Sequence, residues 1–137
     1  MNSLKLKGKP AIIINSLVVI VIMITVFLGL KPPSIAMNDN GLDIGGLYGK
    51  LYEWDLIESV EVLTEMPKIG MRTNGMDLGS VQRGHYKVDG FGSATLYINK
   101  GHEAFITFKY EGRQIFISFA EKIKADEIYI AIMNQIK

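Results

Sequence analysis

The sequence predicts a mainly β domain of about seven short antiparallel strands, capped by a C-terminal helix and preceded by one transmembrane helix. Three patterns carry this expectation. Residues 11–30 form an uncharged apolar run, short β-branched and aromatic segments alternate with glycine turns from 34 to 119, and apolar residues recur every three or four positions through 121–136. The chain has 137 residues, room for one domain of ordinary size.

The apolar run reads AIIINSLVVIVIMITVFLGL, with 16 apolar side chains in 20 positions. A bilayer core roughly 30 Å thick needs about 20 helical residues, and this run supplies them. Pro10 precedes it and Lys31-Pro32-Pro33 ends it, because proline cannot continue a helix. A cleaved signal peptide is the alternative. Lys5, Lys7 and Lys9 would be its basic region, and Ser34-Ile35-Ala36 has the small residues of a cleavage site. The run exceeds the roughly 7–15 apolar residues of such signals, which favours a retained anchor. Three lysines and the amino terminus flank it on one side and Lys31 on the other, so the positive-inside rule favours a cytoplasmic N-terminus. Residues 1–10 are thus a basic tail, 11–30 a membrane helix and 31–137 a domain.

From Ser34 onward 11 basic and 14 acidic side chains leave a net charge of −3, against +1 for the whole chain. Ser34–Asn38 and Leu42–Gly45 are expected to pair across Asp39-Asn40-Gly41, since Asn-Gly and Asp-Gly accept positive φ. Gly49–Glu53 follows. Glu58–Leu63 alternates Val60 and Val62 with Glu58 and Glu61, the pattern of a half-buried strand. Tyr86–Val88 and Ala94–Ile98 flank Gly90-Phe91-Gly92. Phe105–Tyr110 and Gln114–Phe119 form a hairpin across Glu111-Gly112-Arg113. Ala125, Ile128, Tyr129, Ile132, Met133 and Ile136 then mark an amphipathic helix over about 121–136. Strands and helices do not alternate, which argues against a parallel α/β sheet. Residues 64–85 hold four glycines and a proline with little periodicity, and read as a long loop, either functional or packed by its own side chains.

The order of elements resembles the bacterial pleckstrin-homology-like domains found behind membrane helices in many small bacterial proteins. Five stretches carry the resemblance: Tyr48-Gly49 leading to Ile57-Glu58-Ser59-Val60-Glu61; Met66-Pro67-Lys68-Ile69-Gly70; Arg72-Thr73-Asn74-Gly75-Met76 with Leu78-Gly79; Arg83-Gly84-His85-Tyr86-Lys87; and Gly92 to Tyr97. It covers roughly residues 34–137. Departures are a single membrane helix where relatives often carry two, Ser118 in place of a common Asn, and Ala125 in place of a common Thr. The resemblance implies a curved β-sandwich or barrel capped by the terminal helix, with no established enzymatic activity.

The composition excludes several chemistries. With no cysteine there is no disulfide, thiolate metal site or cysteine nucleophile. The balanced charge lacks the basic footprint of a nucleic-acid binder. His85 and His102 are the only histidines and lack metal-ligand spacing, and no serine nucleophile elbow occurs. Gly70–Gly75 begins like a phosphate loop, but Met76-Asp77 stands where Lys-Ser/Thr must follow, which argues against nucleotide binding. The first hairpin, Asp39–Asp43, is acidic, which disfavours anionic lipid headgroups.

Two functions remain. The first is a non-catalytic, single-pass membrane module without a cofactor, taking a basic or neutral protein partner as an added strand at a sheet edge beside the terminal helix. The second is an anion or small-molecule sensor using the 64–85 loop, its candidate contacts being Arg72, Asn74, Arg83 and His85. Guanidinium groups match carboxylate or phosphate bidentately. A structural alternative has the two arginines paired with Glu65 and Asp77.

Overall fold

A computed structural model describes residues 8–30 and 33–136. Lys5 and Lys7 of the basic tail, and Lys31 after the helix, lie outside the described residues. Helix α1 spans Gly8–Leu30 and forms a unit by itself. Its stretch Pro10–Leu28 is long and apolar enough to cross a membrane. Its two polar hydroxyls are tied to its own backbone: Ser16 donates to the Ile12 carbonyl at 2.8 Å and Thr25 to that of Val21 at 2.9 Å. Such bonds make polar residues tolerable in an apolar helix.

The second unit holds nine strands and one helix. A three-stranded sheet, β1 (Ile35–Met37), β2 (Gly41–Ile44) and β3 (Lys50–Glu53), is antiparallel throughout. The Asn38 side chain accepts the Asn40 and Gly41 amides at 2.8 and 3.1 Å, building the predicted β1–β2 turn. A short 3₁₀ turn, Trp54–Leu56, leads to β4 (Ile57–Leu63). The remaining strands are β5 (Ile69–Leu78), β6 (Val81–Val88), β7 (Gly92–Asn99), β8 (Ala104–Tyr110) and β9 (Arg113–Phe119). Helix α2 (Lys122–Gln135) closes the chain.

Strands β4 to β9 form one sheet in the order β4-β8-β9-β7-β6-β5. The β8–β9 turn forms as expected, with Glu111 and Gly112 both at positive φ. Two features differ from the sequence reading. Among the described residues there are nine strands rather than about seven, and β7 runs parallel to β9. The parallel pairing follows from the short 100–103 turn, which carries the chain from β7 past the position that β9 later fills, and the added strand is β5.

The third difference concerns residues 64–85. They are not a loop. All but the link 64–68 and the turn at Gly79-Ser80 lie in the hairpin of β5 and β6. Periodicity fails in β5 because it is an edge strand exposed along most of its length. Its glycines serve close backbone packing: Gly75 faces Gly84 across the pair, and a Cβ on Gly75 would lie 2.3 Å from the Arg83 carbonyl oxygen.

Strands β4 and β5 sit at opposite edges of the sheet yet are joined by residues 64–68 alone. That link reaches about 20 Å, whereas five flat inter-strand spacings come to about 24 Å. The sheet therefore curls. One face packs Ile106, Phe108, Ile115 and Ile117 against Leu42, Ile44, Tyr52 and Trp54 of the first sheet and against Ala125 and Ile132 of α2. The other face gathers Tyr86, Val88, Ala94, Leu96, Ile98 and Phe116, covered by Leu63, Met66 and Ile69 around the link. Each fully buried side chain of this size contributes about 1.5–3 kcal/mol, so two cores brace one sheet from both sides.

Candidate functional site

The four residues singled out from the sequence do not converge. Arg83 is 5% exposed and spends its guanidinium on the protein. It donates to the Ile98 carbonyl, to the Gln82 carbonyl at 3.0 Å and to the Asn99 side-chain oxygen at 2.5 Å. Burial holds its pKa below the usual value, and its role is to tie β6 to the end of β7. Arg72 is exposed on β5 and lines a shallow hollow with Ile69, Gly70, Asp77, Gln82 and Tyr86. Asn74 lies exposed on β5 opposite His85. Neither arginine is ion-paired among the described residues, and Asp77 binds Lys100 at 2.8 Å instead. Sharing a stretch of sequence did not bring these groups together, because the register shift between Arg72 and Asn74 sets Arg72 opposite Tyr86 and Asn74 opposite His85, while Arg83 is drawn to the end of β7.

His85 does lie in a site, with different companions. A cleft of about 420 Å³ opens between the end of the small sheet and the face of the large one, lined among others by Tyr48, Lys50, Tyr52, His85, Thr95, Tyr97, Tyr110 and Arg113. Pairing of β6 with β7 puts His85 beside Thr95, and pairing of β7 with β9 puts Thr95 beside Ile115. Arg113, the first residue of β9, reaches back to the same point.

Its Nη1 lies 3.2 Å from His85 Nδ1, and the Thr95 hydroxyl lies 3.1 Å from that same nitrogen. A guanidinium only donates, so Nδ1 must accept and the imidazole is neutral with its proton on Nε2. Burial and then the Arg113 charge push the His85 pKa down, in agreement with this tautomer. Arg113 Nη1 also donates to the Ala94 carbonyl at 3.4 Å.

Tyrosines form the floor. The Tyr97 hydroxyl donates to the Tyr48 carbonyl at 2.6 Å. Its single proton is thereby used, so the 2.7 Å contact with Tyr52 has Tyr52 as donor. Burial, reinforced by the Tyr97 hydroxyl, pushes the Tyr52 pKa far above the ordinary phenol value. Lys50 stands 4.8 Å over the Tyr110 ring and 3.7 Å from the Glu111 carboxylate.

No protein-family model, curated protein or solved structure matches this chain. Among the described residues no group of three or more His, Asp and Glu side chains is placed to hold a metal ion. His102 is half-buried, and its Nδ1 lies 2.8 Å from the Ser118 hydroxyl, which itself accepts the Asn99 amide.

A second feature is an edge rather than a cavity. Strand β5 pairs with β6 on one side, and on the other no strand among the described residues pairs with it. It is ten residues long, Met71 is 70% exposed, and the register shifts near Arg72. The other free edge, β4, carries a bulge at Ser59, which has φ 55°. Such bulges blunt an edge against pairing.

Sequence reasoning missed Arg113, Lys50 and the tyrosines. Arg113 was hidden as a turn residue of the hairpin, and the tyrosines as ordinary strand residues. Only the three-dimensional pairing of β6, β7 and β9 brings them to one cleft.

Proposed function

We propose that the chain is a non-catalytic module of the cell membrane, held by residues 11–30 with its N-terminus in the cytoplasm, that docks an extended segment of a protein partner along β5. The observation that carries this reading is the ten-residue free edge, exposed on most of its side chains. An unpaired edge offers a row of backbone donors and acceptors that a partner strand satisfies. The resemblance to pleckstrin-homology-like domains points the same way, although the favoured edge is β5 rather than the one beside α2. The edge exposes Met71 and Leu78 with Thr73 and Asn74 between them. With the domain at −3, the segment it suits is extended, neutral to basic, and apolar opposite Met71.

The test is affinity isolation of the full chain from detergent-solubilised membranes, compared with Thr73→Pro. Thr73 is exposed and has no register partner on β6, so proline there reshapes the edge at a bulge without removing a register pair of β5 with β6. A stoichiometric partner recovered with wild type and lost with Thr73→Pro is expected. Recovery unaffected by the proline, or no partner in repeated isolations, contradicts the reading.

A further inference from the structure

We infer that the cleft between β3, β6, β7 and β9 binds a small organic carboxylate, with Arg113 as its anchor. This site is independent of the β5 edge. Arg113 is half-buried, always charged, and has no carboxylate partner among the described residues. A cation withdrawn from water against a neutral imidazole is poorly compensated, and an anion in the cleft supplies what the protein does not.

The guanidinium is also aimed. Its Nη1 is held by His85 Nδ1 and the Ala94 carbonyl, which fixes the plane of the group. The opposite edge, Nε and Nη2, has no hydrogen-bond partner among the described residues, and it is the two-donor edge that grips a carboxylate bidentately. His85, neutral with Nε2–H, is a further donor lining the same cleft.

Charge and shape narrow the ligand. Two cations, Arg113 and Lys50, and one carboxylate, Glu111, line the cleft and leave +1, which a monoanion balances. Lys50 is already engaged by Glu111 and two tyrosine rings at the rim. The floor is formed by Tyr52, Tyr97 and Ile115. A volume of about 420 Å³ falls within the roughly 300–1,000 Å³ of small-molecule sites. A flat or apolar body with one carboxylate fits this combination; a dianionic phosphate does not.

The probe is benzoate, titrated against the full chain in detergent micelles by thermal shift and calorimetry, with benzamide and inorganic phosphate as controls. Saturable stabilisation by benzoate and none by benzamide is expected. Arg113→Gln should weaken benzoate at least about tenfold, as expected for losing a charged, bidentate partner, whereas Arg72→Gln, outside the cleft, should leave it unchanged. Should Arg113→Gln fail to fold, Lys50→Met at the exposed rim decides, with a several-fold weakening expected. No saturable response to benzoate, an equal response to benzamide, tighter binding of phosphate, or benzoate binding indifferent to Arg113→Gln or Lys50→Met overturns the assignment.

Discussion

Replacing Gly75 by alanine tests the claim that glycines in 69–85 serve strand packing rather than a loop. Gly75 has an ordinary backbone, so the substitution adds only a methyl group. That methyl would sit 2.3 Å from the Arg83 carbonyl oxygen and 3.1 Å from the Gly84 Cα, both backbone atoms that cannot swing aside. The strands must separate by about 1 Å at this point to restore normal contact, and overpacking of this kind costs about 1–3 kcal/mol. Gly84→Ala adds a second penalty. Its φ is +104° and its Cβ would meet the Asn74 carbonyl oxygen at 2.6 Å, so about 1–2 kcal/mol of backbone strain joins the clash. Gly79→Ala is the control: at φ +57° with nothing within 4 Å, it pays strain alone. Thermal melts followed by circular dichroism, with hydrogen exchange on β5, separate the three. The expected order of destabilisation is Gly84→Ala, then Gly75→Ala, with the difference between them near the Gly79→Ala cost. For a domain of about this size 1 kcal/mol moves the midpoint by roughly 4–8 °C. A Gly75→Ala chain that melts with wild type and keeps β5 amides protected would refute the close-packing account.

Further expectations concern the buried polar groups. Tyr52 and Tyr97 have raised pKa values in the folded state, chiefly through burial. Their contribution is fully present below the unfolded phenol value near 10 and is lost as pH rises above it. Thermal melts from pH 8 to pH 11 should therefore fall steeply above about pH 10, and less so in Tyr52→Phe/Tyr97→Phe. Asp77 is the opposite case. Its hydrogen bond to Lys100 holds its pKa below the usual carboxylate range. Its stabilising effect is present at neutral pH and is lost on acidification through that lowered value, so Asp77→Asn should flatten the acid side of the stability profile. Arg83→Ala strands the Ile98 carbonyl and the Asn99 side chain, at about 1–3 kcal/mol for each buried group left unpaired. A denaturation midpoint unchanged by Arg83→Ala would show that the group is not structural. The chain should sediment with membranes and be released by detergent but not by high salt, because residues 11–30 bind through apolar surface.

The elements with strong local signals were legible in the sequence. The 11–30 run, the Asp39–Gly41 and Glu111–Gly112 turns, and the three- and four-residue period of 121–136 all correspond to observed elements. Each rests on a rule acting within a few residues. The β5–β6 hairpin was not legible, because an edge strand buries too little to alternate and because Gly75 and Gly84 answer a neighbouring backbone rather than a turn. The parallel β7–β9 pair was hidden for a related reason, since strand order depends on contacts far apart in sequence. The candidate site shared that fate. His85 was singled out for its place at the edge of 64–85 beside Arg83, but its partners Thr95 and Arg113 stand 10 and 28 residues away. Arg83 was a sound chemical guess for an anion site, and the fold instead spends it inside the sheet.

The docking reading is tested most directly in the membrane, by placing a photo-crosslinking amino acid in the full chain at Met71 on β5 and, as a control, at exposed Lys109 on β8. One discrete crosslinked product from Met71, absent from Lys109 and lost when Thr73→Pro is combined with it, is the predicted result. No product from Met71, or the same product from both positions, would contradict it.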